Sequence, residues 1–264
     1  MKLLLIDTCG ATGSLALADT DRSPAVLAAA SLPGRTVSER LVPAVKALAS
    51  NHDTGMGIGL QSLDAVVVVH GPGSFTGVRV GLSAAKGLCE ALGVPVVAIS
   101  RLAVLAQLAA PAIANVRVHA LLDAGRGEFY YGDYLDTVCV REALLTRDEL
   151  LAAVGRAGPG AGVDERGVRG APVRKGEPVQ IVVVCEPAVA QSVVTLAPRL
   201  VAEPAAGDAL PLALFRMRRG YFDNTALLDA NYLRRTDTEI FSKPGSTGTV
   251  VPPERRSQPE TPAR

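Results

Sequence analysis

A chain of 264 residues with 48% hydrophobic content can bury a sizeable core, as one large or two modest domains. Its formal net charge of +1 at pH 7 excludes a protein that grips nucleic acid strongly by itself, so any such role is shared. Cys9, Cys89, Cys139 and Cys185 are scattered in mostly apolar surroundings, which points to reduced thiols of a soluble cytoplasmic protein, and no apolar stretch is long enough for a signal core or a bilayer span.

In chain order, Leu4 to Gly10 leads through small residues into Ser14 to Ala18, a strand, a tight turn and a second strand. Ser38 to Ala49 carries a helical stripe of Leu41, Val42, Val45 and Leu48, with Pro43 tolerable in a first turn. Val66 to Val69 are four consecutive β-branched residues, the pattern of a strand covered on both faces. That strand must end at Gly71-Pro72-Gly73, where proline removes a ladder donor and glycines permit a sharp turn. Ser74 or Thr76 then caps an apolar helix from Val78 to Leu92. Val94 to Ile99 is a buried strand, and Ser100 is placed to cap a helix running through Leu108.

Leu121 to Gly127 leads into Glu128 to Tyr134 as a second hairpin, with Asp123 standing where Asp7 stands in the first. This partial echo predicts two related lobes, each opening on an antiparallel hairpin. Gly155 to Pro178 is rich in Gly, Arg and Pro without an apolar period, and reads as a mobile surface insertion. Gln180 to Val184 resumes as a strand, Ala188 to Leu196 as a helix, and Asp208 to Arg219 as a helix with a basic last turn. The polar, proline-rich stretch beyond Ser242 reads as a disordered tail. The domains are therefore an N-terminal lobe over 1–112, a C-terminal lobe over 113–205 with the insertion at 155–178, a segment over 206–241 packing back on the N-terminal lobe, and the tail over 242–264.

The glycine-dense block from Gly71 to Gly81 is either a site or a tight strand-to-helix turn. It lacks the lysine of a P-loop, the spacing of a dinucleotide fingerprint, and the Gly-x-Ser-x-Gly of a hydrolase elbow around Ser74. His52, His70 and His119 fall in different elements without ligand spacing, so no metal site is expected; His70 should be held by a backbone partner at the end of its strand.

Ile6-Asp7-Thr8, the block Gly71-Pro-Gly-Ser-Phe-Thr-Gly-Val-Arg-Val-Gly81, the run from Leu122 to Tyr130 and the late Tyr232-Leu233-Arg234 together resemble the bacterial TsaB family, also called YeaZ. The resemblance runs in order over most of residues 1 to 235. It implies an α/β fold of the two-lobed actin-like ATPase type (ASKHA, ribonuclease H-like) with a degenerate second lobe. It also implies work in making threonylcarbamoyladenosine, the modified adenosine beside the anticodon in tRNAs that read codons beginning with adenosine. In that family the TsaD subunit does the chemistry. The implied role here is a non-catalytic subunit without cofactor that supports a TsaD-like partner, works with a TsaE-like ATPase in the larger complex, meets tRNA only through that complex, and forms a homodimer when the partner is absent. Two N-lobe helices are then expected to face the partner through Leu41, Val45, Leu48, Arg79, Val80, Ala84, Ala85 and Leu88, with Gly81 among the small residues permitting close approach.

In kinases and ATPases of this fold, the position of Asp7 manages metal and phosphates. Asp7, Thr8 and Gly10 are thus the candidates for a nucleotide contact, yet no Lys or Arg of that hairpin complements phosphate, and Asp7 and Asp123 read instead as turn formers. Arg79 either pairs with a partner carboxylate or braces its own loop. Arg216, Arg218, Arg219, Arg234 and Arg235 are candidate phosphate contacts or a solvated face. Val37 falls where many relatives have a histidine, and the insertion and tail are not covered by the resemblance. The alternatives are a small-molecule kinase or ATPase of the same fold, and a peptidase.

Overall fold

The computed structural model describes residues 1–50, 59–109, 115–155 and 178–234, and Met1–Leu233 form one compact body. The insertion expected at 155–178 lies outside the described residues but for its two ends, as do the tail, His52 and Arg235.

Strands β1 (Lys2–Asp7), β2 (Thr12–Asp19), β3 (Val26–Pro33), β4 (Ala65–Val69) and β5 (Val96–Ile99) form a first sheet in the order β3-β2-β1-β4-β5. Unbroken aliphatic runs in β1 and β4 fit strands covered on both faces, and Leu3 to Ile6 and Ala65 to Val68 are fully buried. β1 pairs antiparallel with β2 and parallel with β4, which sets Asp7 opposite Ser14 on one side and Val69 on the other.

The second sheet is built from β6 (Val116–Gly125), β7 (Glu128–Leu135), β8 (Val138–Thr146), β9 (Val179–Val184) and β10 (Arg199–Leu200), in the order β8-β7-β6-β9-β10. Its pairings repeat those of the first: an antiparallel meander of three strands, then parallel neighbours. The echo between the hairpins thus extends to whole sheets, and the chain has the two-lobed actin-like architecture.

Helices α1 (Val37–Ala49) and α2 (Phe75–Leu92) cover the outer face of the first sheet, packing Leu41, Val45, Leu48, Leu82, Ala85 and Cys89 on Leu4, Ile6, Val66 and Val68. Helices α4 (Arg147–Gly155) and α5 (Pro187–Ser192) do the same for the second, through Leu150, Val154 and Val189. The third helix of each half is exchanged. α3 (Arg101–Ala109) follows the first sheet in sequence but buries Leu102, Leu105 and Ala109 on Val116, Val118 and Ala120 of the second. α6 (Leu210–Met217), with the short 3-10 turn Ala206–Ala209 before it, follows the second sheet but packs on Leu3, Leu5, Val67 and Val97 of the first.

The exchange bears on the boundary expected at residue 112: chain order puts α3 in the N-terminal lobe, while its buried apolar residues other than Val104 pack under the second sheet. Three local readings also change. Pro43 sits inside α1 and not in its first turn, tolerated where both it and Glu39, whose carbonyl it leaves unbonded, face solvent. The helix expected over Ala188 to Leu196 ends at Ser192 and is followed by a separate 3-10 turn, Val194–Leu196. The helix expected to reach Arg219 stops at Met217, where Gly220 at φ 72° reverses the chain. Among the described residues no helix is long and apolar enough to cross a membrane.

Candidate functional site

The glycine block is explained first by what it touches. Ser74 is the N-cap of α2 and its hydroxyl accepts from Gly77 N at 3.3 Å, while its own backbone N donates to Cys9 O at 2.8 Å. Thr8 Oγ1 donates to Gly77 O at 2.6 Å, so the turn after β1 lies directly on the first turns of α2. A Cβ at Gly73 would strike Cys9 O, one at Gly77 would strike Thr8 O, and one at Gly81 would strike Thr8 Oγ1. The three glycines, four residues apart, form one bare face of the helix entry, which lets hairpin and helix meet at backbone distance. Gly81 therefore admits the chain's own hairpin, which corrects its expected part in partner approach.

That hairpin borders a cleft of about 320 Å³, lined by Gly10, Gly73 and Ser74 from the first half, Arg101 from α3, and Asp123 and Glu186 from the second. Asp7 and Asp123 act alike: Asp7 Oδ1 accepts from Cys9 N at 2.8 Å and Asp123 Oδ1 from Gly125 N at 2.7 Å, each closing its own turn. Asp7 is almost fully buried, and burial raises its carboxyl above the ordinary range despite the opposing Arg101 charge. Arg101 Nε stands 3.7 Å from Asp7 Oδ2, and neither atom has a hydrogen-bond partner; Arg101 Nη2 donates to Glu203 Oε1 at 2.8 Å. A side chain at Gly10 would collide with that Arg101–Glu203 pair. Glu186 accepts from Asp123 N at 2.9 Å, and burial raises its carboxyl.

The cleft is therefore rich in carboxylates, and its one lining cation among the described residues is already engaged twice, an electrostatic setting that opposes phosphate. Cys9 also faces it, but burial and the Asp7 charge push its thiol well above its usual value, which leaves it protonated and unreactive. Among the described residues no three His, Cys, Asp or Glu side chains converge as a metal site.

The expected partner residues divide into two sets. Leu41, Val45, Leu48 and Ala85 are buried in the core under the first sheet, so they are not surface residues; the stripe on α1 faces its own sheet because that is the apolar face the sheet requires. Val80, Ala84 and Leu88, at a spacing of four, are half-buried: they pack in part against the same core and are in part open, beside exposed Ser83 and Gly87. Arg79 ties the start of α2 to the C-terminal segment: Nε donates to Tyr232 OH at 2.7 Å and the guanidinium lies 3.7 Å from the Phe75 ring centroid.

His70 is held as expected, its Nδ1 facing Asp229 O at 3.3 Å, and burial lowers its pKa. His119 is buried between Tyr131 OH at 2.9 Å and Gln180 Oε1 at 3.0 Å, which sets Nε2 as the donor to the amide oxygen. Of the arginines, Arg216 donates to Ala98 O and to Asp223 Oδ1, while Arg218 and Arg219 are exposed.

Sequence reasoning missed Glu142. It accepts from Ser100 Oγ at 2.5 Å, from Tyr134 OH, and from Asn231 Nδ2 at 2.6 Å, joining β8 to the start of α3 and to the segment after α6. Ser100 thus donates its hydroxyl to Glu142, while its carbonyl accepts from Val104 N at 3.1 Å at the start of α3. No local pattern marks a hub whose members come from four separate stretches of chain.

Comparison with known proteins matches residues 31–159 to the family model described as TsaD, tRNA N6-adenosine threonylcarbamoyltransferase. The tRNA threonylcarbamoyladenosine biosynthesis protein TsaB of Escherichia coli K12 is 35% identical over 134 residues, 51% of this chain and 55% of that protein. The protein of the same name from Haemophilus influenzae is 39% identical over 100 residues, 38% and 41% of the two chains. The chain thus spans about half the length of these curated relatives, or less. A Pseudomonas aeruginosa structure described as similar to peptidase YeaZ matches with TM-score 0.64 and 29% identity, over 88% of this chain and 99% of that one. The structure described as YeaZ from the same organism matches with TM-score 0.62, 28% identity and the same coverage. Fold and sequence agree in their likeness to the TsaB (YeaZ) family.

Proposed function

We propose that the chain is a non-catalytic subunit in tRNA threonylcarbamoyladenosine biosynthesis, and that it holds a TsaD-like catalytic partner on the outer face of α2. The reading is supported above all by that face. α2 buries Leu82, Ala85 and Cys89 on its sheet, while the row Val80, Ala84 and Leu88 is only partly covered by that core, and a Cβ at Gly87 would meet nothing within 4 Å. A helix needs one apolar side to fold; a second, lined with small residues, suits a helix of another chain. A TsaE-like ATPase belongs to the larger assembly, tRNA is met through that assembly, the same face serves a homodimer when the partner is absent, and the setting is the cytoplasm.

Co-purification with a TsaD-like subunit tests this. Gly87→Arg and Leu88→Arg are expected to remain folded and to lose the complex; folded variants that keep it would remove α2 from the interface. Ala85→Arg is unsuitable, because Ala85 is fully buried and its loss would unfold the lobe. One further reading, a small-molecule kinase or ATPase, rests on the position of Asp7 at the end of β1 and runs against the electrostatics of the cleft. Calorimetry with ATP and magnesium separates the two: the carboxylate-rich cleft is expected to give no tight binding by the isolated chain, and tight binding would displace the accessory reading.

A further inference from the structure

The chain has five phenylalanines, five tyrosines and no tryptophan, and it exposes three of these rings within eight residues around the end of α6. Phe215 is 44% exposed, Tyr221 50% and Phe222 45%, and among them stand the exposed Arg218 and Arg219. The Arg219 guanidinium lies 3.8 Å from the Phe215 ring centroid. Arg218 has no ion pair among the described residues, and Arg219's contact is with the ring and not with a carboxylate.

The turn that carries these side chains is firmly built. Gly220 N donates to Met217 O at 2.9 Å and Tyr221 N to Arg216 O at 3.0 Å. Arg216 beneath them donates to Ala98 O and pairs with Asp223, while Asp223 Oδ2 accepts from Ala98 N at 2.7 Å and Asp223 N donates to Val96 O at 2.9 Å. The nearest carboxylate in the segment is thereby used up in fixing the turn to β5, so it does not neutralise the two outer arginines. Nothing in the packing under α6, which relies on Leu210, Ala213 and Met217, requires the three rings to be apolar.

We propose that Phe215, Arg218, Arg219, Tyr221 and Phe222 form a platform for RNA with unstacked bases, the rings taking base faces and the arginines the flanking phosphates. This rests on the tRNA-modification reading for the identity of the RNA, a tRNA loop. α6 lies on the opposite face of the first sheet from α1 and α2, so the platform stays open when the outer face of α2 holds a protein partner. A nearly neutral chain that offers Arg218 and Arg219 at this turn gives weak, salt-sensitive binding alone and adds to binding in the assembly.

The test uses a fluorescent unmodified tRNA transcript, its anticodon stem–loop and a fully paired RNA duplex, with the full chain alone and with its TsaD-like subunit. Tyr221→Ala and Phe222→Ala are expected to weaken stem–loop binding about tenfold each while leaving duplex binding in place. Arg218→Glu with Arg219→Glu is expected to weaken both and to lower the salt slope by about 1 to 2. All sites are exposed, and unchanged melting temperatures exclude unfolding. Variants that bind all three RNAs as wild type does overturn the platform; variants that bind RNA normally but lose the protein partner make it a protein surface and also overturn it. Restoring the modified nucleoside in cells depleted of their own TsaB separates this from the broader reading: wild type that restores it while the platform variants bind RNA unchanged sinks the platform alone, and wild type that fails to restore it sinks the tRNA-modification role.

Discussion

Gly77 and Gly87 lie on the same helix, and their surroundings give opposite expectations. Alanine normally stabilises a helix interior relative to glycine by about 1 kcal/mol. At Gly87 the space is open, and Gly87→Ala is expected to raise stability by about 0.5–1 kcal/mol in urea unfolding. At Gly77 the added methyl meets the Thr8 carbonyl, backbone that cannot swing aside, so Gly77→Ala is expected to lose about 1–3 kcal/mol. Asp7 offers a test by pH. Its folded pKa is raised by burial above the ordinary 3.8, so its contribution is fully present below pH 4 and is lost as pH rises through the folded value. Asp7→Asn keeps an oxygen for Cys9 N and removes the titration. The stability of the variant relative to wild type is expected to climb from pH 4 upward and then level off; a fall would mean that Arg101 outweighs burial.

At the scale of elements, strands β1, β2, β4, β5, β6, β7 and β9, the glycine-bounded entry to α2 and the paired hairpins were legible because each is written in a local pattern (β-branched runs, a cap residue, a turn aspartate), whereas β3, β8 and the short β10 carry no such pattern. Which side of a helix meets its own sheet was not legible for α1, since an apolar stripe looks the same whether it faces a sheet or another protein. The hub at Glu142 was hidden for a different reason, because its donors lie just before α3, in β7 and in the segment before Leu233. Glu142→Ala leaves Ser100, Tyr134 and Asn231 without their acceptor, and a loss of about 2–4 kcal/mol is expected by denaturant unfolding. Glu142→Gln restores only part, because one of its two positions then presents an N–H to Asn231 Nδ2.

For the whole molecule, the exchange of third helices makes each half incomplete without the other. Residues 1–112 alone would leave Leu3, Leu5, Val67 and Val97 uncovered and α3 without its sheet. Such a fragment is expected to aggregate, and a full-length chain cut after residue 205 is expected to lose its cooperative thermal transition. The two-lobed outline was readable from the repeated hairpins and the return of the 206–241 segment to the N-terminal lobe was expected, but the place of α3 under the second sheet was not, since sequence order assigns that helix to the strands before it. The same exchange shapes how the protein is made. One face of the first sheet is finished only when α6 leaves the ribosome, and at roughly 5–20 residues per second the hundred or so residues after β5 take on the order of 5–20 s to appear. Throughout that interval the nascent chain shows an apolar sheet face to the cell, a natural target for a holding chaperone. A premature stop anywhere before α6 therefore strands the N-terminal half as well as the missing end.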